Sequence, residues 1–369
     1  MRVGAIRMGA MRVCEMIERR KTKRIMVGDV PVGGGAPVSI QSMTKTDTRD
    51  VEATIGQIRA LEEEGCEIIR SAVPDEDAAA ALGRIIDGIS IPMIADIHFD
   101  YRLAIASMEA GAAGVRINPG NIGDRKGVEM IVEEARARKI PLRIGVNSGS
   151  LPEKMLKKYG GPSPEALVEA ALEAVGMIES MGFDRMKISL KASNVPDTIR
   201  AYELAAERTD YSLHIGLTEA GPLYPGSIKS AVALGTLLAR GIGDTIRVSL
   251  TADPVHEVRA AKLILSSLKL RSFGPDIVSC PTCGRCETDL IEIVEDVQRR
   301  IREEKVTAGI VVAVMGCVVN GPGEAREADV GIAMGKKKGV LFRKGEVVAH
   351  VAVPDIVNAL ISEIKNWRP

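Results

Sequence analysis

The chain has 369 residues, of which 46% are hydrophobic, enough to bury a large core and to form two domains. Its 49 basic residues balance 49 acidic ones, so no global field favours nucleic acid or an anionic membrane. The longest apolar run, residues 309–319, is far too short to cross a bilayer.

Residues 1–22 are broken by Arg2, Arg7 and Arg12 and lack the apolar centre of a signal peptide; they read as an extension outside the folded core, disordered or preceding the true start. Within a first domain expected at residues 23–270, one pattern repeats from about residue 38 to 269: a short β-branched run, a polar turn, then an amphipathic helix. Strands are expected at 38–43, 67–73, 92–97, 114–118, 141–146, 186–191, 212–217 and 245–250. Helices are expected at 51–64, 75–86, 101–109, 127–138, 164–181, 196–208, 227–240 and 255–268, with apolar residues at three- and four-residue steps, as in Ala166, Ala170, Leu172, Val175 and Ile178. Eight strand–helix units predict a (β/α)8 TIM barrel, with an open doubly wound sheet as the alternative. Gly33-Gly34-Gly35 precedes the first strand instead of following it, which makes it a poor dinucleotide fingerprint.

Residues 271–369 have a different texture. A linker leads to the cysteine-rich stretch SCPTCGRCETDL, then to a helix at 289–304 and a strand at 309–315. The segment VVNGPGEAREA reads as a loop; beyond it come a strand at 329–334, a hairpin opened by the basic turn GKKKG, and a final helix at 354–367. This is a small α+β domain with its cysteines on loops.

Function in a barrel sits at the C-terminal ends of its strands. Those ends supply Arg70, Asp96 and His98, Arg116 and Asn118, Arg143 and Asn147, Lys187, Ser189 and Lys191, Glu219, and Arg247 and Ser249. Any single Arg could pair with Asp96 or Glu219. Four or five cations converging on one mouth outnumber the acids and call for an anionic, phosphorylated substrate, since guanidinium forks match phosphate and Asn and Ser complete the contacts. Lys191 is favoured over Lys187, which lies nearer the start of its strand. His214, His256 and His350 read as structural, and His98 as either structural or functional.

Cys280, Cys283 and Cys286 fall within seven residues, and Cys317 follows 31 residues later. Zinc ribbons usually bring two CxxC pairs, and here Cys317 stands alone. An iron–sulfur cluster accepts three local thiolates plus a distant one, and equally three ligands plus an open or non-cysteine position. The turn NGPGE aims Glu324 toward the same place. Cys14 and Cys66 fall in helical patterns and read as inert. The six cysteines do not form a secreted disulfide framework, so a cytoplasmic location is expected.

The stretches VPVGGGAPVSIQSMTKTDTRDVEAT, ADIHFDYRLA, GVRINPGNIG, GVNSGSL, KISLKAS, LTEAGP, GIGDTIRVSLTADP, SCPTCGR and MGCVVNGPGEA together resemble the 4-hydroxy-3-methylbut-2-enyl diphosphate synthase family of the non-mevalonate isoprenoid pathway, in its two-domain bacterial form. The resemblance implies a [4Fe–4S] cluster held by Cys280, Cys283, Cys317 and Glu324. It implies reductive opening and dehydroxylation of 2-C-methyl-D-erythritol 2,4-cyclodiphosphate, with electrons from ferredoxin or flavodoxin. It also implies a homodimer whose active site is shared between subunits. The family's chemistry would place the diphosphate on Arg70, Arg116, Arg143, Asn147, Lys191 and Ser249. Proton delivery would fall to Glu219, with His98 or Asp96 as further candidates. Cys286 stands where the family pattern has a different residue, and its position just before a helix start predicts a bystander. The competing expectation is a phosphate-binding barrel lyase or isomerase with a structural zinc module; a third is a non-enzymatic electron carrier or zinc-ribbon interaction protein.

Overall fold

The computed structural model describes residues 17–118, 121–122, 125–317, 319 and 321–368. The chain divides between Leu270 and Arg271 into two compact units. Cys14 lies outside the described residues.

The first unit opens with a short antiparallel hairpin, β1 (Ile25–Val27) and β2 (Val30–Val32). Eight parallel strands then close a barrel: β3 (Ser39–Met43), β4 (Ile68–Ala72), β5 (Met93–Asp96), β6 (Gly114–Ile117), β7 (Leu142–Asn147), β8 (Met186–Lys191), β9 (Ser212–Ile215) and β10 (Thr245–Ile246), with β10 pairing back onto β3. The intervening helices are α1 (Val51–Glu64), α2 (Glu76–Asp87), α3 (Tyr101–Glu109), α4 (Arg125–Arg138), α5 (Glu153–Tyr159), α6 (Pro164–Glu179), α7 (Val195–Arg208), α8 (Leu223–Ala239) and α9 (Pro254–Ser267). Their starts follow from local chemistry. Asp50, Asp75, Ser163 and Asn194 each accept a hydrogen bond from a first-turn backbone N–H, and proline occupies the first turns of α6, α7 and α9.

The barrel interior departs from the usual filling of branched aliphatic residues. Asp96, Arg116, Arg143, Lys187 and Ser212 are successive cross-strand neighbours, so they form one inward-facing row. Alternate positions such as Ile69, Ala95, Val115, Leu142 and Ile188 are buried and turn toward the helices. The hairpin shuts the N-terminal end: Ile25, Val27 and Val32 pack on Ile68 and Ile94, and Ser212 Oγ donates to Lys23 O at 2.6 Å. The interior is therefore polar and closed below.

The second unit holds a five-stranded sheet in the order β11 (Asp276–Ser279), β12 (Val311–Met315), β13 (Val330–Met334), β14 (Lys338–Arg343) and β15 (Glu346–Ala352). The first three strands are parallel and the last two antiparallel to their neighbours. Alternation along β12 sends Val312 and Val314 into a core with α10 (Leu290–Glu303) and α12 (Ile356–Lys365), while Ala313 and Met315 meet Ala325 of α11 (Gly321–Glu327) on the other face.

Several boundaries differ from those expected from sequence. The stretch VVNGPGEAREA, expected as a loop, carries helix α11, because Pro322 sits in its first turn where no N–H partner is lost. The strand expected at 245–250 narrows to Thr245–Ile246. Hairpin β1–β2 and helix α5 add to the expected elements. Within the extension expected at 1–22, residues from Arg19 onward engage the barrel: Arg19 Nη2 reaches Asp244 Oδ1 at 3.2 Å, and Arg20 N donates to Gly241 O at 3.0 Å.

Candidate active site

At the C-terminal end of the barrel, Asp96 is the hub. Arg116 Nη1 lies 3.3 Å from its Oδ1, Arg70 Nε 3.5 Å and His98 Nε2 3.6 Å from its Oδ2. Burial opposes the Asp96 charge, but Arg70, His98, Arg116 and Arg143 hold the carboxyl well below the usual carboxylate range. Asp96 is thus an anchored anion at neutral pH. Arg116 also donates to Gly145 O at 3.3 Å, and an added Cβ at Gly145 would fall 2.4 Å from Arg116 Nε. Only glycine leaves room for that guanidinium.

Among the described residues, the remaining cations have fewer partners. Arg143 is 1% exposed and donates from Nε to Ser189 Oγ at 3.0 Å, but its Nη1 and Nη2 meet no acceptor. Arg70 donates to Met43 Sδ at 2.7 Å, and its Nη1 has no acceptor. Lys187 Nζ and Arg247 Nε are buried without acceptors as well. Burial, followed by Arg70 and Arg116, disfavours the Arg143 charge. Burial likewise drives Lys191 well below its ordinary value, reinforced by Arg70, Arg143, Arg247 and Arg116; for Lys187 the further contributors are Arg143 and Arg70. A guanidinium does not give up its proton, so crowding of this kind becomes affinity for an incoming anion. An ammonium can give up its proton, so the two lysines respond to pH. Glu257, a further carboxylate that acts on Arg247, is already taken by Lys45 Nζ at 3.0 Å, Ser42 Oγ at 3.2 Å and Leu250 N at 2.9 Å.

Around this group, Asn147 presents a buried Oδ1 with no donor, and Asn118 Nδ2 reaches Ser150 Oγ at 3.4 Å. Lys191, Arg247 and Ser249 line a narrow space with Tyr202, His214, Gly216 and Leu217. Glu219 is exposed beyond β9 and adopts φ of 54°, a left-handed conformation that a non-glycine residue holds at a cost. His98 is half exposed, with Arg116 Nη1 3.4 Å from its Nδ1. Lys187 and Arg247, which sequence alone leaves outside the substrate set, belong to the same constellation. Their inward parity with Lys191 and Ser249 is the available signal. A larger cavity of about 590 Å3, lined by Arg20, Leu172, Val175, Glu179 and Tyr211 among others, lies outside the barrel along α6 and α7. Its tyrosine already donates to Glu179 at 2.8 Å, and nothing converges there on a ligand.

In the second unit the cysteines share one edge of the sheet. Cys280 follows β11 and Cys317 follows β12, and the two strands are parallel neighbours, with Ser279 beside Val314. Cys280 Sγ accepts the Gly316 N–H at 3.4 Å. Cys283 is exposed; hydrogen bonds from the Arg285 backbone and side chain lower its thiol pKa, so thiolate forms readily. Between them Thr282 takes φ of 52°, a strained setting for a β-branched residue. The Cys286 thiol donates to Thr288 O at 3.2 Å and packs so closely on Gly316 that a Cβ there would lie 2.5 Å from Sγ. Glu324 is exposed in the first turn of α11. Cys66, by contrast, is buried and its thiol is pushed up to about 12, the setting of an inert core cysteine.

Among the described residues, no three His, Cys, Asp or Glu side chains close around a point suitable for one metal ion. A zinc ion needs four donors at about 2.0–2.3 Å from a single centre. A cluster places each ligand on a different iron and so takes a wider set, of thiolate chemistry, with N–H donors to sulfur. Cys280, Cys283 and Cys317, with Glu324 nearby in sequence, fit that description.

Two family models cover most of the chain: the GcpE TIM-barrel domain over residues 22–262 and the GcpE protein C-terminal domain over 276–366. A 4-hydroxy-3-methylbut-2-en-1-yl diphosphate synthase (flavodoxin) of Geobacter sulfurreducens is 59% identical over 347 residues, 94% of this chain and 98% of the relative. The protein of that name from Caldanaerobacter subterraneus is 56% identical over 351 residues, 95% of this chain and 98% of the relative. A dihydropteroate synthase from Yersinia pestis, solved with a sulfonamide drug, aligns at a TM-score of 0.50 with 11% identity, covering 67% of this chain and all of that one. That likeness shows the barrel fold alone.

Proposed function

We propose, for a chain that belongs to the GcpE family of 4-hydroxy-3-methylbut-2-en-1-yl diphosphate synthases, that the barrel cations hold the cyclic diphosphate and that the cysteine edge holds a [4Fe–4S] cluster. The reaction is the reductive ring opening and dehydroxylation of 2-C-methyl-D-erythritol 2,4-cyclodiphosphate to (E)-4-hydroxy-3-methylbut-2-enyl diphosphate, an oxidoreductase step of isoprenoid biosynthesis. Two electrons and two protons enter and one water leaves. Flavodoxin is the electron donor named for the relatives and the donor assigned to this chain.

The observation that carries the substrate assignment is the excess of unanswered donors. Among the described residues, Arg70 Nη1, Arg143 Nη1 and Nη2, Lys187 Nζ and Arg247 Nε are buried without acceptors around one carboxylate. Each such group costs roughly 1–3 kcal/mol or more while unpaired. A diphosphate supplies the missing acceptors, with Asn147, Lys191 and Ser249 at its margin. When bound, the cluster supplies low-potential electrons one at a time. Cys280, Cys283 and Cys317 would hold it, with Glu324 as the fourth and more readily displaced ligand, since a carboxylate is a harder donor than a thiolate. Cys286 is a bystander.

Proton delivery falls to Glu219. Among the described residues it enters none of the ion pairs that hold Asp96 ionised, and its left-handed backbone marks it as a positioned residue. His98, tied to Asp96 and Arg116, orients that pair. We assign a homodimer in which the sites of different subunits cooperate, because α9 releases the chain at the barrel face opposite the cations. The proton-delivery assignment is tested with anaerobic protein, reduced flavodoxin and the cyclic diphosphate. Glu219→Gln should retain substrate affinity and lose most turnover; unchanged turnover would remove Glu219 from the proton path. Mixed Glu219→Ala and Cys317→Ser chains should recover partial activity through heterodimers. No recovery despite subunit exchange would argue for a site completed within one chain.

A further inference from the structure

Strand direction places more than cysteines at the thiol edge of the second unit. β11, β12 and β13 are parallel, so Cys280, Cys317 and the basic turn at 335–339 all emerge from the same edge of the sheet. The link is direct: Lys336 N donates to Glu287 Oε2 at 2.9 Å, and Glu287 N donates to Gly316 O at 3.2 Å. Glu287 thereby ties the lysine turn to both cysteine loops.

The charges at this edge are unevenly engaged. Lys336, Lys337 and Lys338 are exposed, and among the described residues their ammonium groups enter no ion pair. Arg285 is exposed beside Cys283. The acids here are Glu287, Asp289 and Asp355, with Glu324 reserved as a ligand. Glu287 accepts the Lys336 amide, and Asp289 caps α10 by accepting Glu292 N. Two apolar side chains, Val278 and Val319, are 45% and 62% exposed next to Cys280 and Cys317. An apolar centre with a charged rim is the composition of small, transient interfaces, and the rim charge governs the rate of encounter.

We propose that this edge, with Lys336, Lys337 and Lys338 as its cationic rim and the exposed Cys283 loop at its centre, is the docking surface for an acidic one-electron carrier protein. The proposal rests on the reading of the cysteines as a cluster site and adds where the donor binds. Cys283 is the exposed thiol of the set, so the electron path from a docked carrier to the ligand set is shortest through its loop. The overall charge of zero gives no long-range attraction, which leaves this local rim to do the steering.

The test measures flavodoxin binding to anaerobic holoenzyme by calorimetry or surface plasmon resonance across a range of salt. Lys336→Glu/Lys337→Glu/Lys338→Glu protein should keep its iron–sulfur absorption and its turnover with dithionite. It should bind flavodoxin at least about tenfold more weakly at low salt, with a flatter dependence of log Kd on log salt. Arg302→Glu/Lys305→Glu/Lys344→Glu protein carries the same charge change, placed at the C-terminal end of α10 and in the β14–β15 turn, away from the cysteine edge; it should bind almost as wild type does. Equal weakening by both triple variants, or none by the first, overturns the surface. Wild-type protein without an iron–sulfur chromophore would instead defeat the cluster reading, and the surface with it.

Discussion

The barrel mouth and the cysteine edge solve opposite problems with opposite materials. Arg70, Arg116 and Arg143 are each at most 2% exposed and are fixed by strand register, a glycine gap and a shared carboxylate. Cys283 and Arg285 lie exposed on a short connection bent through a left-handed threonine, and Glu324 lies exposed in the first turn of α11. Buried, preorganised charge suits recognition of a fixed anion, because no reorganisation is needed when the ligand arrives. An exposed thiol edge suits a cofactor that must receive electrons from outside. The two regions therefore should fail independently, and substitutions in each can separate them.

The largest effects belong to the cysteine edge. Cys280→Ser and Cys317→Ser should each lose the cluster and essentially all turnover, while the barrel retains its folded signature; iron analysis with circular dichroism checks both. Retention of a full iron complement in either would break the ligand assignment. Next come the barrel cations. Arg116→Ala or Arg143→Ala should weaken binding of the cyclic diphosphate by about 2–5 kcal/mol and leave the cluster spectrum unchanged. Wild-type affinity in both variants would remove the phosphate site.

A smaller effect concerns protons. Burial and the neighbouring Arg70, Arg143, Arg247 and Arg116 guanidinium groups depress the Lys191 pKa before an anion binds. A bound diphosphate favours the charged form and raises that pKa. Binding then takes up protons and tightens as pH falls through the interval between the empty and the bound pKa, by up to about one log unit per pH unit per proton. Calorimetry in buffers of different ionisation enthalpy should show uptake, and Lys191→Met should reduce it. Release of protons on binding, or uptake unaltered in the variant, would contradict a diphosphate-driven rise in the Lys191 pKa.

Much of this contrast is legible without coordinates. The alternation of β-branched runs with amphipathic helices specifies the barrel because each period reflects one face that must be buried. The polar residues at the strand ends follow from parity alone. Parity does not give depth, however. Position along β8 favours Lys191 over Lys187, yet hairpin β1–β2 seals the end beneath Lys187 and makes it as buried as Arg143. The hairpin is legible in principle from its Gly28-Asp29 turn between two apolar runs, and Gly28 does take φ of 58°. Helix α11 is hidden by its own composition, since Gly and Pro in NGPGE signal a turn. The place of Cys286 just before the start of α10 is readable from sequence, but its lodging against Gly316 depends on tertiary packing.

What the second unit binds is the most direct point of test. Iron, sulfide and zinc are to be counted in anaerobically purified wild-type and Cys286→Ser protein. About four irons and four sulfides per chain in both, with negligible zinc, are the expected result for a [4Fe–4S] cluster that does not use Cys286. One tight zinc per chain in the wild type, or loss of iron on replacing Cys286, would contradict it.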